Sequence, residues 1–277
     1  MITVTLIRHG ESRDNPKGIW AGWRDAPLTD LGERQADVLG YAFASSTQFQ
    51  YFYASDLSRA HSTALAVIKH HAKPKPPFTL SQNLREQHCG IAEGHRPAPR
   101  HLLEDKAMEE WWEEGVFLET QERDEKFPGG ESLNDLARRA EAAIRECILP
   151  HVFDKNQDGI HIGLASHGTF LNEMICSLLR LDPDHDHSKS YLGLLNTAWS
   201  RLTISVKHGC EGPYELNSPP PLRICLLAFN NYEHLGSLPG VSTFETETPP
   251  EYFPVAGASL QITTTQPLWT DSASVPN

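Results

Sequence analysis

Two histidines, each followed by a glycine, stand at the ends of two apolar runs and are the strongest candidates for chemistry. His9 follows residues 2–7 and Arg8, and His167 follows residues 162–166. A neutral imidazole is a good nucleophile near pH 7, and a guanidinium binds phosphate oxygens through two parallel N–H groups. Two imidazoles with an arginine beside the first therefore indicate a site for a phosphoryl group.

The two apolar runs have the composition of buried parallel strands, and this sets where the histidines should lie. Strand-like and helix-like patterns alternate from residue 2 to about residue 180, which is typical of βαβ units around a mainly parallel sheet. Ligands bind such sheets outside the carboxyl ends of the strands. We therefore predict an α/β fold, a three-layer α/β/α sandwich with a mixed, mostly parallel sheet, and both histidines at one edge of it.

Capping patterns and helical spacing predict the elements around the sheet. The first helix is predicted to open at the capping pair Asp30 and Glu33 and to end near Phe43. Ser132 and Asp135 form a second capping signal before a run of apolar residues at helical spacing. The other predicted elements are helices over 58–71 and 169–180 and two closing strands over 197–206 and 222–229.

Two segments depart from this alternation. Residues 95–127 are rich in Glu and contain Trp111 and Trp112, and we predict that they form an inserted helical cap. Residues 241–277 hold many Pro, Ser and Thr, several acids and no Lys or Arg. Such a segment buries too little apolar surface to offset its ordering entropy. We predict a domain over residues 1–240 and a disordered acidic tail over residues 241–277.

Composition excludes several classes of partner. The 277 residues are 39% hydrophobic and carry a net charge of −12, which predicts a globular domain without affinity for nucleic acid or anionic membranes. The five cysteines are widely spaced, and the N-terminal residues lack a basic region followed by a long apolar run. These features favour a cytoplasmic protein with reduced thiols, with the nucleus as a further compartment. Oligomeric state is left open.

Several further motifs surround the two histidines and follow one another in a fixed order. They are residues 8–15 (RHGESRDN), 22–32 (GWRDAPLTDLG), 55–60 (SDLSRA), 84–94 (LREQHCGIAEG), 128–132 (PGGES) and 166–168 (SHG). In this order and spacing the set resembles the histidine phosphatase superfamily, also called the phosphoglycerate mutase-like family. The resemblance covers about residues 2 to 236 and implies the α/β fold already predicted.

The resemblance implies a role for each of five residues. His9 is expected to be the nucleophile that forms a phosphohistidine, and His167 to donate to the transferring phosphoryl group. The sequence by itself does not separate these two roles. Arg8 and Arg59 are expected to hold the phosphate oxygens, with Arg59 in the first turn of a helix. Glu86 matches the proton donor of the family and is expected to act as general acid and base.

Three more residues are predicted to bind the phosphate. Ser12 and Asn15 match neutral donors of the family, and Gly168 begins a helix whose backbone N–H groups approach an oxygen closely. Glu93 lies close to Glu86 in sequence, and we interpret it as a structural hydrogen-bond acceptor. This chemistry requires neither metal nor cofactor, and we interpret the Asp/His run at residues 184–187 as a solvated loop rather than a metal site.

The family contains both mutases and phosphatases, and two features favour a phosphatase. Cys89 stands where cofactor-dependent mutases carry a Tyr, and residues 95–127 are acidic where those mutases carry a basic cluster for the substrate carboxylate. The motifs around residues 84–94 and 129–132 resemble broad-specificity phosphatases and fructose-bisphosphatase-type glycolysis regulators. We therefore expect a metal-independent phosphatase acting on a small phosphorylated metabolite. A phosphoglycerate mutase-type transfer and a catalytically silent phosphate-binding scaffold are the alternatives.

Overall fold

Six strands form one mixed sheet at the centre of the molecule. The computed structural model describes residues 1–98, 106–120, 122–154, 156, 158–210 and 212–238. The order across the sheet is β3-β2-β6-β1-β7-β8. These strands are β1 (Ile2–Arg8), β2 (Tyr51–Ser55), β3 (Phe78–Ser81), β6 (His161–Ser166), β7 (Trp199–Val206) and β8 (Leu222–Asn231).

The register of the sheet brings two strand ends together. β1 pairs in parallel with β6, and Arg8 at the end of β1 lies opposite Ser166 at the end of β6. β2 runs parallel to both β6 and β3. β7 lies between β1 and β8 and runs antiparallel to both of them. The prediction of a mixed, mostly parallel sheet is confirmed.

Helices cover both faces of the sheet and bury a separate apolar core on each. One core joins the sheet to α4 (Leu133–Cys147) and α6 (Gly168–Leu179) through residues such as Leu136 and Phe170. The other joins it to α1 (Asp30–Ala44) and α2 (Ser58–His70) through residues such as Leu39 and Val67. Two cores on opposite faces give the predicted three layers. The helices are α1 (Asp30–Ala44), α2 (Ser58–His70), α3 (Met108–Glu113), α4 (Leu133–Cys147), α5 (Leu149–Phe153) and α6 (Gly168–Leu179).

One predicted helix start is confirmed and one is shifted by a residue. Ser132 and Asp135 form a reciprocal capping box before α4, with both backbone-to-side-chain distances at 3.1 Å. Before α1, however, the cap is Thr29, whose Oγ1 accepts from the Gly32 backbone N–H at 3.0 Å. The hydroxyl of Thr29 takes the position because its backbone is extended, whereas Asp30 is already helical.

The insertion at residues 95–127 is only partly helical where the structure describes it. Besides α3, it contains a two-stranded parallel sheet of β4 (Pro97–Ala98) and β5 (Phe117–Leu118). Phe117 packs with Phe127, Cys89 and Ala92 in a small third core. This packing explains why the apolar residues of β5 form a strand rather than a helix. Residues 99–105 and the predicted tail over residues 241–277 lie outside the described residues. No helix within the described residues is both long and apolar enough to span a bilayer.

Candidate active site

The carboxyl ends of β1 and β6 place His9 and His167 side by side. Each histidine directly follows one member of the Arg8–Ser166 pair. The two imidazole rings have centroids 5.1 Å apart and an interplanar angle of 60°. His9 is 4% exposed and His167 is fully buried. The expectation that both histidines share one edge of the sheet is therefore met in the geometry.

The His9 ring is held in one orientation and is neutral. Its Nδ1 lies 2.7 Å from the Gly10 carbonyl oxygen, which only accepts, so Nδ1 carries the proton. The lone pair is therefore on Nε2. Burial, followed by the charges of Arg59 and Arg8, lowers the pKa of His9 well below its usual value of 6.5. A buried neutral imidazole with a fixed lone pair is suited to attack an electrophile.

The turn that follows β1 and the first turn of α1 pack so closely that each requires a glycine. A Cβ at Gly10 would lie 2.5 Å from the Gly32 carbonyl oxygen, and a Cβ at Gly32 would lie 2.0 Å from the Glu11 carbonyl oxygen. The Gly10 backbone N–H donates to Thr63 Oγ1 on α2 at 3.0 Å. The first turn of α1 and the second turn of α2 thus pack directly on the backbone that carries His9, and these contacts fix the position of the imidazole.

The two predicted phosphate-binding arginines are buried beside the histidines and held by backbone carbonyl groups. Arg59, in the first turn of α2, donates through Nη1 to the Arg24 carbonyl and through Nη2 to the Gly22 carbonyl, both at 2.8 Å. Arg8 donates through Nη1 to the Leu194 carbonyl. Burial lowers the pKa of both guanidinium groups, while the charge of Glu86 raises it. Because a guanidinium keeps its proton in proteins, both groups stay positive, and the carbonyl contacts fix them in place.

Three buried nitrogen atoms at this site have no hydrogen-bond partner among the described residues. They are Nε of Arg8, Nε of Arg59 and Nδ1 of His167. Buried polar groups in folded proteins are nearly always paired, so unpaired ones need an explanation. Two cationic groups and an imidazole nitrogen, all next to His9, are suited to an anion with several oxygens.

His167 is oriented by a residue that the sequence analysis did not single out. Its Nε2 lies 2.9 Å from Ser55 Oγ at the end of β2, and Ser55 Oγ accepts from the Leu57 backbone N–H at 3.3 Å. Burial, and then the charge of Arg59, lowers the pKa of His167 well below its usual value. Ser55 could have been found from its place at the end of a strand next to β6, because parallel strand ends converge.

Glu86 is held at the start of α6, immediately after His167. Its Oε2 accepts from the Thr169 backbone N–H at 3.2 Å, and its Oε1 accepts from the Phe170 and Gln87 backbone N–H groups at 3.0 and 2.9 Å. The free backbone N–H groups at a helix N-terminus bind the carboxyl oxygens and hold them in place. The geometry brings Glu86 to the histidine pair, as the site prediction requires.

The backbone around Glu86 is fixed by Arg139 on α4, which the sequence analysis also missed. The Arg139 guanidinium donates to the carbonyl groups of Asn83, Arg85 and Glu86 at 3.1, 2.6 and 2.8 Å. It also forms a two-pronged ion pair with Glu131 at 2.8 and 2.6 Å. In the sequence Arg139 is one of several charges on an amphipathic helix, and no local pattern distinguishes it.

Ser12 and Asn15 form a small polar unit beside His9. The Ser12 backbone N–H and hydroxyl both donate to Asn15 Oδ1, at 2.8 and 3.0 Å. Asn196 donates through Nδ2 to the His9 carbonyl at 3.0 Å and to Asn15 Oδ1 at 3.4 Å. The Asn15 carbonyl oxygen is thus occupied, which leaves its NH₂ group as the donor for a ligand. A Cβ at Gly168 would make ordinary contact with Arg8 Nε at 3.6 Å, so the need for glycine there stays a prediction.

The remaining candidates have structural partners. Glu93 Oε1 accepts from the backbone N–H groups of Trp23 and Cys89 at 2.8 and 3.2 Å, in agreement with its interpretation as a structural acceptor. In the 184–187 loop, Asp184 pairs with Lys207 at 2.5 Å. Across the described ranges, no three His, Cys, Asp or Glu side chains are grouped so as to hold a metal ion.

Comparison of the sequence with models of known protein families shows to which family the chain belongs. The model of the histidine phosphatase superfamily (branch 1) matches residues 4–210. The chain belongs to the histidine phosphatase superfamily. A 2,3-bisphosphoglycerate-dependent phosphoglycerate mutase from Brucella melitensis biotype 2 is 33% identical over 183 residues, which cover 66% of this chain and 84% of the mutase. The resemblance drawn from the motifs is confirmed.

Solved structures share the superfamily fold. A mycobacterial glucosyl-3-phosphoglycerate phosphatase, solved with VO3, aligns with a TM-score of 0.59 and 21% identity over 82% of this chain and 98% of that one. A phosphoglycerate mutase from Bacillus anthracis aligns with a TM-score of 0.60 and 22% identity over 85% of this chain and 95% of that one. At these identities the likeness concerns the fold, which is the phosphoglycerate mutase-like α/β fold that the motifs predicted.

Proposed function

We propose that the protein hydrolyses phosphomonoesters of small metabolites through a phosphohistidine on His9. The observation that carries this proposal is the set of unpaired buried nitrogens on Arg8, Arg59 and His167 next to a neutral His9 whose lone pair is on Nε2. The oxygens of one anion would accept hydrogen bonds from all three nitrogens, while its central atom would face Nε2 of His9. A phosphoryl group has this shape and charge.

In the first step, His9 Nε2 attacks the phosphorus atom, and the bond between phosphorus and the ester oxygen breaks. Glu86 in its protonated form gives a proton to the departing alcohol oxygen. Arg8 and Arg59 compensate the charge on the equatorial oxygens. Ser55, by donating to His167 Nε2, would place the ring proton on Nδ1, the nitrogen without a partner. His167 then donates to the same phosphoryl group.

In the second step, a water molecule attacks phospho-His9, and the nitrogen–phosphorus bond breaks. Glu86, now ionised, takes a proton from the water as the new oxygen–phosphorus bond forms. Inorganic phosphate leaves, and His9 and Glu86 return to their starting protonation states. The two guanidinium groups supply the positive charge in both steps, so the proposal assigns no role to a metal or a cofactor.

A phosphoglycerate mutase is the second candidate, because curated relatives at 33% identity carry that name. One observation favours hydrolysis. Cys89, where cofactor-dependent mutases carry a Tyr, is 6% exposed, and its thiol lies 3.6 Å from the Gln87 carbonyl. Burial, and then the charge of Glu86, raises the pKa of Cys89 well above its usual value. A mutase must hold the substrate carboxylate while the phosphorylated intermediate reorients in the site. A buried neutral thiol is a poor hydrogen-bond donor for that carboxylate.

Turnover of para-nitrophenyl phosphate and 3-phosphoglycerate by wild type and His9→Ala tests the proposal. We expect release of inorganic phosphate by wild type, none above background by His9→Ala, and an acid-labile phosphoryl adduct on the wild type in quenched reactions. Arg59→Met should retain the fold and lose about 2–4 kcal/mol of transition-state stabilisation. His70→Gln, outside the site on α2, is the matched control.

The alternatives predict different products. A mutase would interconvert 2- and 3-phosphoglycerate when primed with 2,3-bisphosphoglycerate and would release little phosphate. A silent scaffold would bind phosphate in a calorimeter, while wild type and His9→Ala would show the same background rate on every substrate. Either result would refute the hydrolase.

A further inference from the structure

The loop over residues 193–197, just before β7, lies against the backbone of His9 and the side chain of Arg8. The Thr197 backbone N–H and Asn196 Nδ2 donate to the His9 carbonyl oxygen at 3.2 and 3.0 Å. A carbonyl oxygen of the same loop accepts from Arg8 Nη1. The His9 backbone is therefore held by β6 on one side and on the other by this loop, which we call the 193–197 loop.

Thr197 adopts a backbone conformation that is unfavourable for its residue type. Its φ is 59°, in the left-handed region, where a β-branched side chain is crowded by its own backbone. Asn230 is the other non-glycine residue with a positive φ among the described residues, and asparagine tolerates that region. A strained conformation persists only where surrounding contacts impose it, and such residues concentrate at functional sites. The contacts that hold Thr197 therefore bear on the site beside it.

His234 holds the Thr197 side chain in this conformation. Thr197 is fully buried, and its Oγ1 donates to the Asn196 carbonyl oxygen at 2.7 Å. Because a hydroxyl has a single hydrogen, Oγ1 then accepts from His234 Nε2, which lies 2.9 Å away. Burial lowers the pKa of His234 to about 4, so the ring is neutral near pH 7 and carries its proton on Nε2.

The second nitrogen of the His234 ring indicates that this histidine is not optimised for stability. His234 lies on a 3₁₀ helix, Glu233–Ser237, that follows β8. Its Nδ1 is buried and has no hydrogen-bond partner within the ranges that the structure describes. Leaving a buried polar atom unpaired is unfavourable, and an apolar ring of similar size would avoid that loss. The contact from Nε2 to Thr197 thus points to a role beyond the free energy of unfolding.

Asn230, near the end of β8, holds the other part of the 193–197 loop. Its Oδ1 accepts from the Leu195 backbone N–H at 2.9 Å, and its Nδ2 donates to the Gly193 carbonyl oxygen at 3.2 Å. Asn230 and His234 are close neighbours in sequence. One short segment after the core of β8 therefore contacts both ends of the loop that holds His9.

We propose that His234 and Asn230 are positioning residues for the nucleophile: they hold the 193–197 loop, and the loop holds the His9 backbone and the Arg8 guanidinium. This inference rests on the proposed function, because it gives the two residues a part in the attack by His9. Both act through the loop and not on the substrate. Attack requires the reacting atoms to be about 3–3.5 Å apart and aligned, and a displacement of ~1 Å can cost about 100-fold in rate.

The test removes the hydrogen bond between His234 and Thr197 from each side. His234→Phe keeps an aromatic ring and Thr197→Val keeps the shape of threonine, so each variant loses one polar partner. We expect kcat to fall about 10- to 100-fold in each variant, with KM changed much less. His234→Gln keeps an N–H donor and should recover most of kcat. The double variant should be about as slow as either single variant, because both substitutions delete the same contact.

Three further measurements complete the design. Asn230→Gly keeps the left-handed φ and removes the second anchor, so kcat should fall there as well. Glu233→Gln, at an exposed position next to His234, is the matched control and should keep the wild-type kcat. Urea unfolding gives the folded fraction of each variant, by which kcat is divided. NMR of the ring nitrogens of His9, identified by their absence in His9→Ala, should show a displaced signal in His234→Phe and an unchanged one in Glu233→Gln.

The outcomes separate this inference from the proposed function. A wild-type kcat in His234→Phe, or a fall explained entirely by its unfolded fraction, would overturn the inference and leave the proposed function intact. Additive losses in the double variant would also overturn it, because the two side chains would then act independently. If wild type hydrolyses no phosphomonoester, the proposed function fails and the NMR signal of His9 decides. An undisplaced signal in His234→Phe then refutes the positioning of His9, and a displaced one supports it.

Discussion

Replacing Arg139 with methionine should weaken both the fold and the reaction. The guanidinium donates to three backbone carbonyls and to both oxygens of Glu131. Breaking a buried ion pair from one side costs about 3–5 kcal/mol, because the other charge loses its partner. Arg139 is 12% and Glu131 20% exposed, so water recovers part of that loss. We expect the free energy of unfolding to fall by about 2–4 kcal/mol.

The effect on the reaction follows from the Glu86 carbonyl. Arg139 touches the backbone of Glu86 and not the reacting atoms, so it is a positioning residue. With the guanidinium gone, the Trp23 indole N–H, which lies 2.7 Å from the same carbonyl oxygen, still anchors it. We expect kcat to fall about 10- to 100-fold, in the range of a lost acid–base contribution, with KM changed less. Arg139→Lys should recover part of kcat, since one of its donors reaches the carbonyls.

Urea unfolding followed by tryptophan fluorescence gives the stability, and phosphate release under saturating substrate gives kcat. Glu131→Gln is the companion variant, because it keeps a neutral acceptor for Arg139 and should cost less than Arg139→Met. An unchanged urea midpoint for Arg139→Met would refute the energetic reasoning. A normal kcat in a fully folded variant would refute the positioning of Glu86 through its backbone.

Three further predictions concern pH, packing and the insertion. Burial lowers the pKa of His161 and of His234 to about 4, so the unfolded chain binds protons before the folded chain does. The free energy of unfolding, measured by urea titration, should therefore fall as the pH drops from 6.5 toward 4, by up to ~1.4 kcal/mol per pH unit per histidine. Gly10→Ala should lower the melting temperature and abolish turnover, because its Cβ would meet a backbone oxygen at 2.5 Å. Arg123→Met should lower the urea-derived stability by about 1–3 kcal/mol, because it removes the ion pair to Glu173, which is 2% exposed.

Each of these predictions has a matched control. His161→Gln should remove part of the pH slope between 6.5 and 4, and an unaltered slope would contradict the assignment. Gly168→Ala, whose Cβ would find an ordinary contact at 3.6 Å, should keep the melting temperature of wild type. Arg123→Met combined with Glu173→Gln should be less destabilising than Arg123→Met by itself, because no uncompensated carboxylate remains.

The sequence predicts the position of His9 and His167 well, because strand ends follow from local patterns. An apolar run, a polar break and a glycine locate the end of β1 and of β6, and parallel pairing then brings the two ends together. The capping box of α4 was likewise readable from Ser132 and Asp135, since both partners lie within one helical turn. Interactions between neighbours in sequence leave a pattern that can be read.

Arg139 and Ser55 left no such pattern. Arg139 bonds to carbonyl groups more than 50 residues away, and every residue carries a carbonyl, so the partners have no sequence signature. Ser55 contacts His167 across 112 residues. The partly wrong helical interpretation of residues 95–127 has a similar origin. Glu and Trp fit a helix locally, but packing of Phe117 on Phe127 decides the conformation there.

The central place of β1 in the sheet has a consequence for folding. Its two neighbours in the sheet, β6 and β7, are far from it in sequence. Thr5 on β1, for example, contacts His161 on β6 across 156 residues. Such long-range pairing closes late and slowly, because a large loop must be ordered first. During synthesis, β1 can pair with both β6 and β7 only after about residue 206 has left the ribosome. His9, the proposed nucleophile, is therefore among the first residues made and among the last to reach its folded surroundings.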